Sequence, residues 1–348
     1  MNADKTKKRR LFSYLRSSAF ICGSLLFVPL FICGCEKSDE VVLYTSIDEP
    51  VARPIVQEFE HQTGIRVRLV TDSEATKTVG LAERLRAEKP NPQADVWWGN
   101  EPFNTINLAD EGVLAAYDSP AAKDVPARFK DAAHRWASVG LRARVLAVYE
   151  QIPTTQPWTF RSDPSVRHMI SGSGYPSAIA KPTAGTTGGH VSALYVLWGE
   201  QKFDQFVRDV AAGGHVMVLG GNSVVAENVG RGTAWVGLTD NDDVTAAQSE
   251  GGKLTALLPD QKTFGTLAIP STVAMVAGAM HGSEARRLID YLLSPAVERR
   301  LIDAKFAGWS VRAGDKDQPK WMDVDYQAVA RAMPQAIRRA TAILEGRE

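Results

Sequence analysis

The stretch that most limits what this chain can fold into is Val41 to Tyr44. Four apolar residues with no polar interruption read as a strand buried on both faces, the environment of a parallel sheet covered by helices. Thr45, Ser46 and Ile47 follow as a short turn. Asp48 is a helix-capping residue type, and Pro50 suits a first helical turn, where its missing N–H would be unpaired anyway. A buried strand feeding a helix through a polar turn places that turn at the carboxyl edge of the sheet, where open α/β sheets bind ligands.

The alternation continues. Residues 50–62 carry Val51, Ile55, Val56 and Phe59 on one helical stripe, closed by Gly64. Strands are expected at 65–70, 94–98, 141–149, 179–180, 215–219, 233–238 and 266–277. Helices are expected at 76–89, 102–111, 190–198, 203–212, 223–229, 283–293, 296–304 and 325–344, with Pro334 as a kink or break in the last. Residues 121–136 read as helix and loop, 153–164 as a loop with three prolines, 183–189 as a Gly/Thr loop, and 239–243 as a polar turn after a strand. Strand and helix in turn are the pattern of a parallel α/β arrangement. No internal repeat or low-complexity segment is present.

Before the first strand lies a different kind of sequence. Lys5, Lys7, Lys8, Arg9 and Arg10 form a basic segment, and 19–32 an apolar one, short and broken for a membrane span. Cys33-Gly34-Cys35 ends it. The arrangement resembles a bacterial lipoprotein signal, in which residues 1–34 are removed and Cys35 becomes the lipidated N-terminus; an uncleaved anchor is the alternative. Residues 35–40 then form a hydrated tether. All three cysteines (Cys22, Cys33, Cys35) lie in this segment, so the mature domain has no thiol for a disulfide, zinc site or nucleophile. Of the 348 residues, a little over 300 remain, enough for about two domains. The signal holds six of the 40 basic residues and one of the 40 acidic ones, leaving a mildly acidic chain that lacks the basic stripe a nucleic-acid partner requires.

VVLYTSIDEP at 41–50, EFEHQTGIRV after the first helix, ADVWWGNE at 94–101, LADEGVLAAY, RARVLAVY at 142–149, GGNSVVAENVGRG at 220–232 and EARRLIDYLLSPAVERRL at 284–301 stand in one order and spacing. In that order they resemble the periplasmic solute-binding proteins of ABC transporters, in the class containing the bacterial ferric-ion-binding proteins. The resemblance spans 41–315. It implies a two-lobe periplasmic binding protein fold (type II), each lobe a mixed, mostly parallel sheet flanked by helices, with the ligand cleft between. It places one lobe at 41–142 plus 270–312 and the other at 143–269 plus 313–348, with hinge crossings near Arg142–Val145, Ile269–Thr272 and Arg312. It further implies an extracytoplasmic monomer, in the periplasm or at the cell surface, held by its lipid anchor and serving an ABC permease and its ATPase.

Ferric-binding relatives hold iron with a histidine and a glutamate of the first lobe and two tyrosines of the second. Position by position these fall on Asp48, Asn100 (with Glu101 beside it), Asp240 and Asn241, so tyrosinate chemistry is absent. Carboxylates replace it: Asp48, Glu49 and Glu101 from one lobe, Asp240, Asp242 and Asp243 from the other. Carboxylates in a closed cleft repel one another and lose hydration unless a cation joins them, and hard cations take such oxygen ligands. The expected solute is iron(III) or another hard metal ion, alone or with a synergistic anion. That anion would lie at Thr183, Gly185, Thr186, Asn222 and Ser223, facing Arg142, which otherwise pairs with a carboxylate. Tyr44, Trp97 and Trp98 are either core aromatics or cation–π walls for an amine. The alternatives on the same scaffold are a small organic solute (amine or polyamine, or an anion such as phosphonate or carboxylate) and a sensor lipoprotein. An exported enzyme is a further reading, but G-x-S-x-G, H-E-x-x-H and paired histidines are missing, so no catalytic residue is expected.

Overall fold

In the computed structural model, which describes residues 39–72, 80–152, 164–172, 174–183 and 185–347, the apolar run at 41–44 forms β1 (Glu40–Thr45), buried from Val41 onward. It is hydrogen-bonded in parallel to β2 (Arg66–Thr71) on one side and β3 (Val96–Gly99) on the other. Between them run α1 (Glu49–Thr63), ended by the left-handed Gly64, and α2 (Gly80–Glu88). The signal, Cys35, most of the tether, the start of the expected helix at 76–89 and the loop at 153–163 lie outside the described residues. After β3 come α3 (Pro102–Asp110), the two-residue β4 (Leu114–Ala115) and two 3₁₀ turns, Pro120–Ala122 and Ala127–Phe129.

The strand that unites the molecule is β5 (Ala137–Tyr149), longer than its apolar core at 141–149 suggested. Residues 137–143 pair antiparallel with β10 (Ala268–Val276), and residues 144–149 pair antiparallel with β8 (Val236–Asp240) and β9 (Leu254–Leu257). β10 continues past β5 to pair with β3 and β4. The second set of strands is completed by β6 (Ser177–Ala180), parallel to both β8 and β7 (Val216–Leu219). The strand order is β2-β1-β3-β10-β5-β8-β6-β7, with β4 and β9 beside β10 and β5. This is the two-lobe binding-protein fold: two mixed α/β halves whose sheets share β5.

Helices cover both halves: α4 (Gly185–Trp198), α5 (Glu200–Ala212), α6 (Asn222–Gly230), α7 (Asn241–Ser249), α8 (Gly282–Leu292), α9 (Pro295–Asp303) and α10 (Tyr326–Leu344). Three local expectations are corrected. The Gly/Thr segment is not a loop to residue 189, because Gly185, at φ 59°, already opens α4. The polar 241–243 is the first turn of α7 rather than a turn, since acidic residues favour a helix N-terminus. β9 has no counterpart among the expected strands; its four residues are too few to show a period. α10 runs through Pro334, its buried side packed on α3, α4 and α5. Tertiary burial outweighs the one lost backbone bond.

Trp97, Trp98, Phe59, Phe103, Phe129 and Phe203 are fully buried. Burying a side chain of phenylalanine size is worth roughly 1.5–3 kcal/mol, so these six anchor the core. α4 reaches α3 through glycine: a Cβ on Gly189 would lie 1.9 Å from the Phe103 ring. Among the described residues no helix is long and apolar enough to cross a membrane.

Candidate solute-binding cleft

Five element ends meet where β5 passes between the two halves. The carboxyl ends of β1 and β3 bring Ser46, Asp48 and Asn100; the N-termini of α4 and α6 bring Thr186, Thr187 and Asn222; the β8–α7 junction brings Asp240 to Asp243. Arg142 and Arg144 project from β5 among them. Two residues apart on a strand, they share one face.

Arg144 is fully buried. Its Nη1 donates to Asp240 Oδ1 at 2.6 Å, to Asn222 Oδ1 at 3.1 Å and to Thr186 Oγ1 at 3.3 Å, while Nη2 donates to the Leu238 carbonyl at 3.3 Å. Thr186 Oγ1 donates to Asp240 Oδ2 at 2.7 Å, and Thr187 Oγ1 to Asn222 Oδ1 at 2.9 Å. Arg142 lies one pleat nearer the first half. Its Nη1 donates to Asp240 Oδ2 at 3.2 Å and to both oxygens of Asp242, at 3.0 and 2.8 Å; its Nη2 donates to the Asn100 carbonyl at 2.7 Å. The guanidinium also lies 5.1 Å from the centre of the Phe306 ring.

Asp240, Asp242 and Asp243 each offer a carboxylate oxygen within 4.8 Å of the others. Burial raises the proton affinity of Asp242; Arg142 opposes this, and the charges of Asp240 and Asp48 add to it. Asp243 is pushed up further, by burial and then by Asp242 and Asp240. Burial and the neighbouring carboxylates together thus favour the protonated forms of Asp242 and Asp243. Burial would strip Arg142 of its proton, but Asp242 and Asp240 outweigh it and hold the guanidinium charged. His190, in α4, is held neutral by burial and by Arg144.

Asp48 stands at the N-cap of α1 and lines a cavity of about 200 Å³ with Ser46, Ile47, Glu49, Pro50, Thr71 and Asp72. Its charge acts on Asp242 across the cleft. Glu49 turns along α1 to pair with Arg53 at 2.6 Å, half-exposed. Asn100 is buried, its Oδ1 accepting from Ser46 Oγ at 3.1 Å. Glu101 caps α3, accepting from the backbone N–H of Phe103 at 2.6 Å and of Asn104 at 3.1 Å. Asn241 Oδ1 accepts from the Ala143 N–H at 2.7 Å. Of the anion set, Thr186 and Asn222 join the arginine network; Gly185 opens α4, and Thr183 and Ser223 are exposed. The aromatic-wall expectation is corrected: Tyr44, Trp97 and Trp98 are at most 1 % exposed. Tyr44 contacts Glu88 and Arg84 of α2, and Trp97 Nε1 donates to Thr105, so neither side chain faces the cleft.

The sequence reading missed Arg144, Thr187 and Phe306. The alternation Arg142-x-Arg144 inside an apolar strand was the available signal, since a strand buried on both faces admits charge only where partners wait. Phe306 carried none, because its contact arises from a distant segment.

A cleft between two α/β halves, lined by charged groups from both, is the design of a solute-binding protein. The model of the family described as bacterial extracellular solute-binding protein matches residues 41–306. The chain belongs to this family. Its members are binding proteins of the ABC importer type rather than enzymes; the permease and ATPase of such an importer are their partners, and they act outside the cytoplasm. A putative 2-aminoethylphosphonate-binding periplasmic protein of Salmonella paratyphi A is 24 % identical over 265 residues, covering 73 % of this chain and 72 % of the relative. Among solved structures, a ferric binding protein from Campylobacter jejuni superposes with a TM-score of 0.75 at 18 % identity, covering 87 % of this chain and 99 % of the other. Iron-bound HitA from Pseudomonas aeruginosa gives 0.73 at 20 % identity, with 87 % and 99 % covered. At such identities the likeness is one of fold.

Proposed function

We propose that this solute-binding protein is lipid-anchored through Cys35, acts as a monomer, and captures iron(III) or another hard metal ion between lobes at 41–142 plus 270–312 and 143–269 plus 313–348, for delivery to its permease. The observation that carries this reading is the carboxylate group of Asp240, Asp242 and Asp243, whose oxygens lie within 4.8 Å of one another, with the charge of Asp48 acting on Asp242 from the other side. A hard cation relieves that repulsion and takes oxygen ligands. The ferric and iron-bound names of the structural neighbours agree. Titration calorimetry with ferric citrate, ferrous and manganous ions tests it: one site per chain is expected, and absence of heat with all three defeats the metal reading.

A second reading has its own observation. Arg142, Arg144, Thr186, Thr187 and Asn222 put donors beside the acids, the two-signed lining a zwitterion needs. The name of the Salmonella relative points the same way. Binding of 2-aminoethylphosphonate in the same calorimeter, without metal, would favour it.

A further inference from the structure

We propose that Arg142 determines which cations the cleft accepts, by competing from within the protein for the carboxylate oxygens a captured cation would use. This rests on the cation reading above and deepens it.

Three observations lead there. Arg142 Nη1 lies within 3.2 Å of Asp240 and within hydrogen-bonding distance of both Asp242 oxygens, so it already engages two of the three clustered carboxylates. Its other bond, from Nη2, goes to Asn100 at the carboxyl end of β3, away from the carboxylates. Its remaining donor, Nε, is buried and has no acceptor among the described residues. Arg144 is the useful contrast. It too engages a clustered carboxylate, Asp240, at 2.6 Å, but its other bonds, to a backbone carbonyl of β8 and the Thr186–Asn222 pair, lie on its own side and hold it as part of the wall. Arg142 instead bridges two sets of elements over the Phe306 ring, on which a displaced guanidinium can rest by cation–π attraction.

The electrostatics then set selectivity. Positive charge entering beside Asp242 meets the guanidinium's like charge, and must either move it or use the oxygens it leaves. A compact multivalent ion gains enough from Asp240, Asp242 and Asp243 together to do so. A monovalent ion or a single ammonium gains no more than the guanidinium it displaces, which is also tied to the Asn100 carbonyl through Nη2. Arg142 thereby excludes the abundant monovalent cations.

The test uses the mature chain with lanthanum(III), a hard diamagnetic ion, and with ethylammonium, both followed by calorimetry. In Arg142→Gln the lanthanum Kd is expected to fall at least about tenfold, and ethylammonium binding to become measurable; Arg142→Lys, which keeps the charge but not the Nη2 bond to Asn100, should fall between wild type and Arg142→Gln. An unchanged or higher Kd in Arg142→Gln overturns the proposal. Should that variant not fold, the wild type decides by nitrogen NMR of arginine side chains. Movement of the Arg142 Nε resonance on saturation with lanthanum supports displacement or direct competition. Stoichiometric binding with that resonance unmoved overturns the proposal and leaves the cation reading standing. If calorimetry detects no cation in wild type or variant, the cation reading itself has failed and this one with it.

Discussion

Burial and its acidic neighbours raise the proton affinity of Asp243 further than that of Asp242. Thr239 Oγ1 donates to Asp243 at 3.1 Å, but Asp242 and Asp240 press on it from the same helix turn. Its proton affinity, like that of Asp242, is higher in the folded chain than in the unfolded one, where a carboxyl titrates near 3.8. A raised folded value means stability is fully present below the unfolded value and is lost as pH rises through the folded one. His190 works in the opposite sense: its folded value lies well below 6.5, so its share of stability is lost as pH falls beneath that. Comparison of wild type with Asp243→Asn isolates the carboxylate. In thermal unfolding from pH 4 to 8, the variant is expected to lose less stability than wild type on the alkaline side. In calorimetry it should bind cations about tenfold more weakly, a loss of about 1.4 kcal/mol, because one oxygen ligand is gone. Cation affinity of wild type should rise with pH through the same window, as protons leave Asp242 and Asp243.

At the scale of elements, one contact sets how the halves meet and a second braces β5 beside the crossing. α4 approaches α3 at Gly189, where a methyl group would overlap the buried Phe103 ring. Gly189→Ala should therefore wedge these helices apart. Overpacking of this kind costs about 1–3 kcal/mol, and the cleft it props open should hold its solute more weakly. Thermal unfolding and solute titration read the two effects. The second contact is Glu298 of α9, buried beside β5. It accepts from the backbone N–H of Gly140 at 2.9 Å and of Val311 at 2.8 Å, from Ser310 Oγ at 2.5 Å, and from Arg312 Nη1 at 3.2 Å. Four donors from both segments near the crossing converge on one carboxylate. Glu298→Ala leaves the buried N–H groups of Gly140 and Val311 without their acceptor and removes one partner of Arg312, and should destabilise by about 3–5 kcal/mol, measured by urea unfolding.

At the scale of the whole molecule, the proposed anchor and the proposed solute site can be tested separately. Cys35→Ala removes the acceptor of the proposed lipid and should move the protein from the membrane fraction to the soluble one, read by fractionation and immunoblot, with solute affinity unchanged. The paired-sheet architecture was legible in the chain because its signals are local. Apolar runs such as 41–44 and 96–98 read as buried strands, Gly64 as a helix end, and the stripe Val51, Ile55, Val56 and Phe59 as a buried helix face. The acidic cluster was legible in part: Asp240, Asp242 and Asp243 come together because they share one helix start. Glu49 and Glu101 were not separable from them by residue type. One lies along a helix surface with Arg53 and the other caps α3, and neither choice is encoded within a few residues of either acid.

The sequence by itself determined the alternation of strands and helices, the burial of β1 on both faces, the absence of cysteine after Cys35 and the supply of carboxylates at strand ends. These depend on periodicity, capping chemistry and composition, which act over a few residues. Only the tertiary structure decided that Arg142 and Arg144 stand among those carboxylates, that Tyr44, Trp97 and Trp98 belong to the core, and that Gly189 admits Phe103. Each depends on segments tens to hundreds of positions apart meeting in space. A charge keeps or sheds its proton, and an aromatic ring meets solute or core, according to neighbours that chain order does not supply.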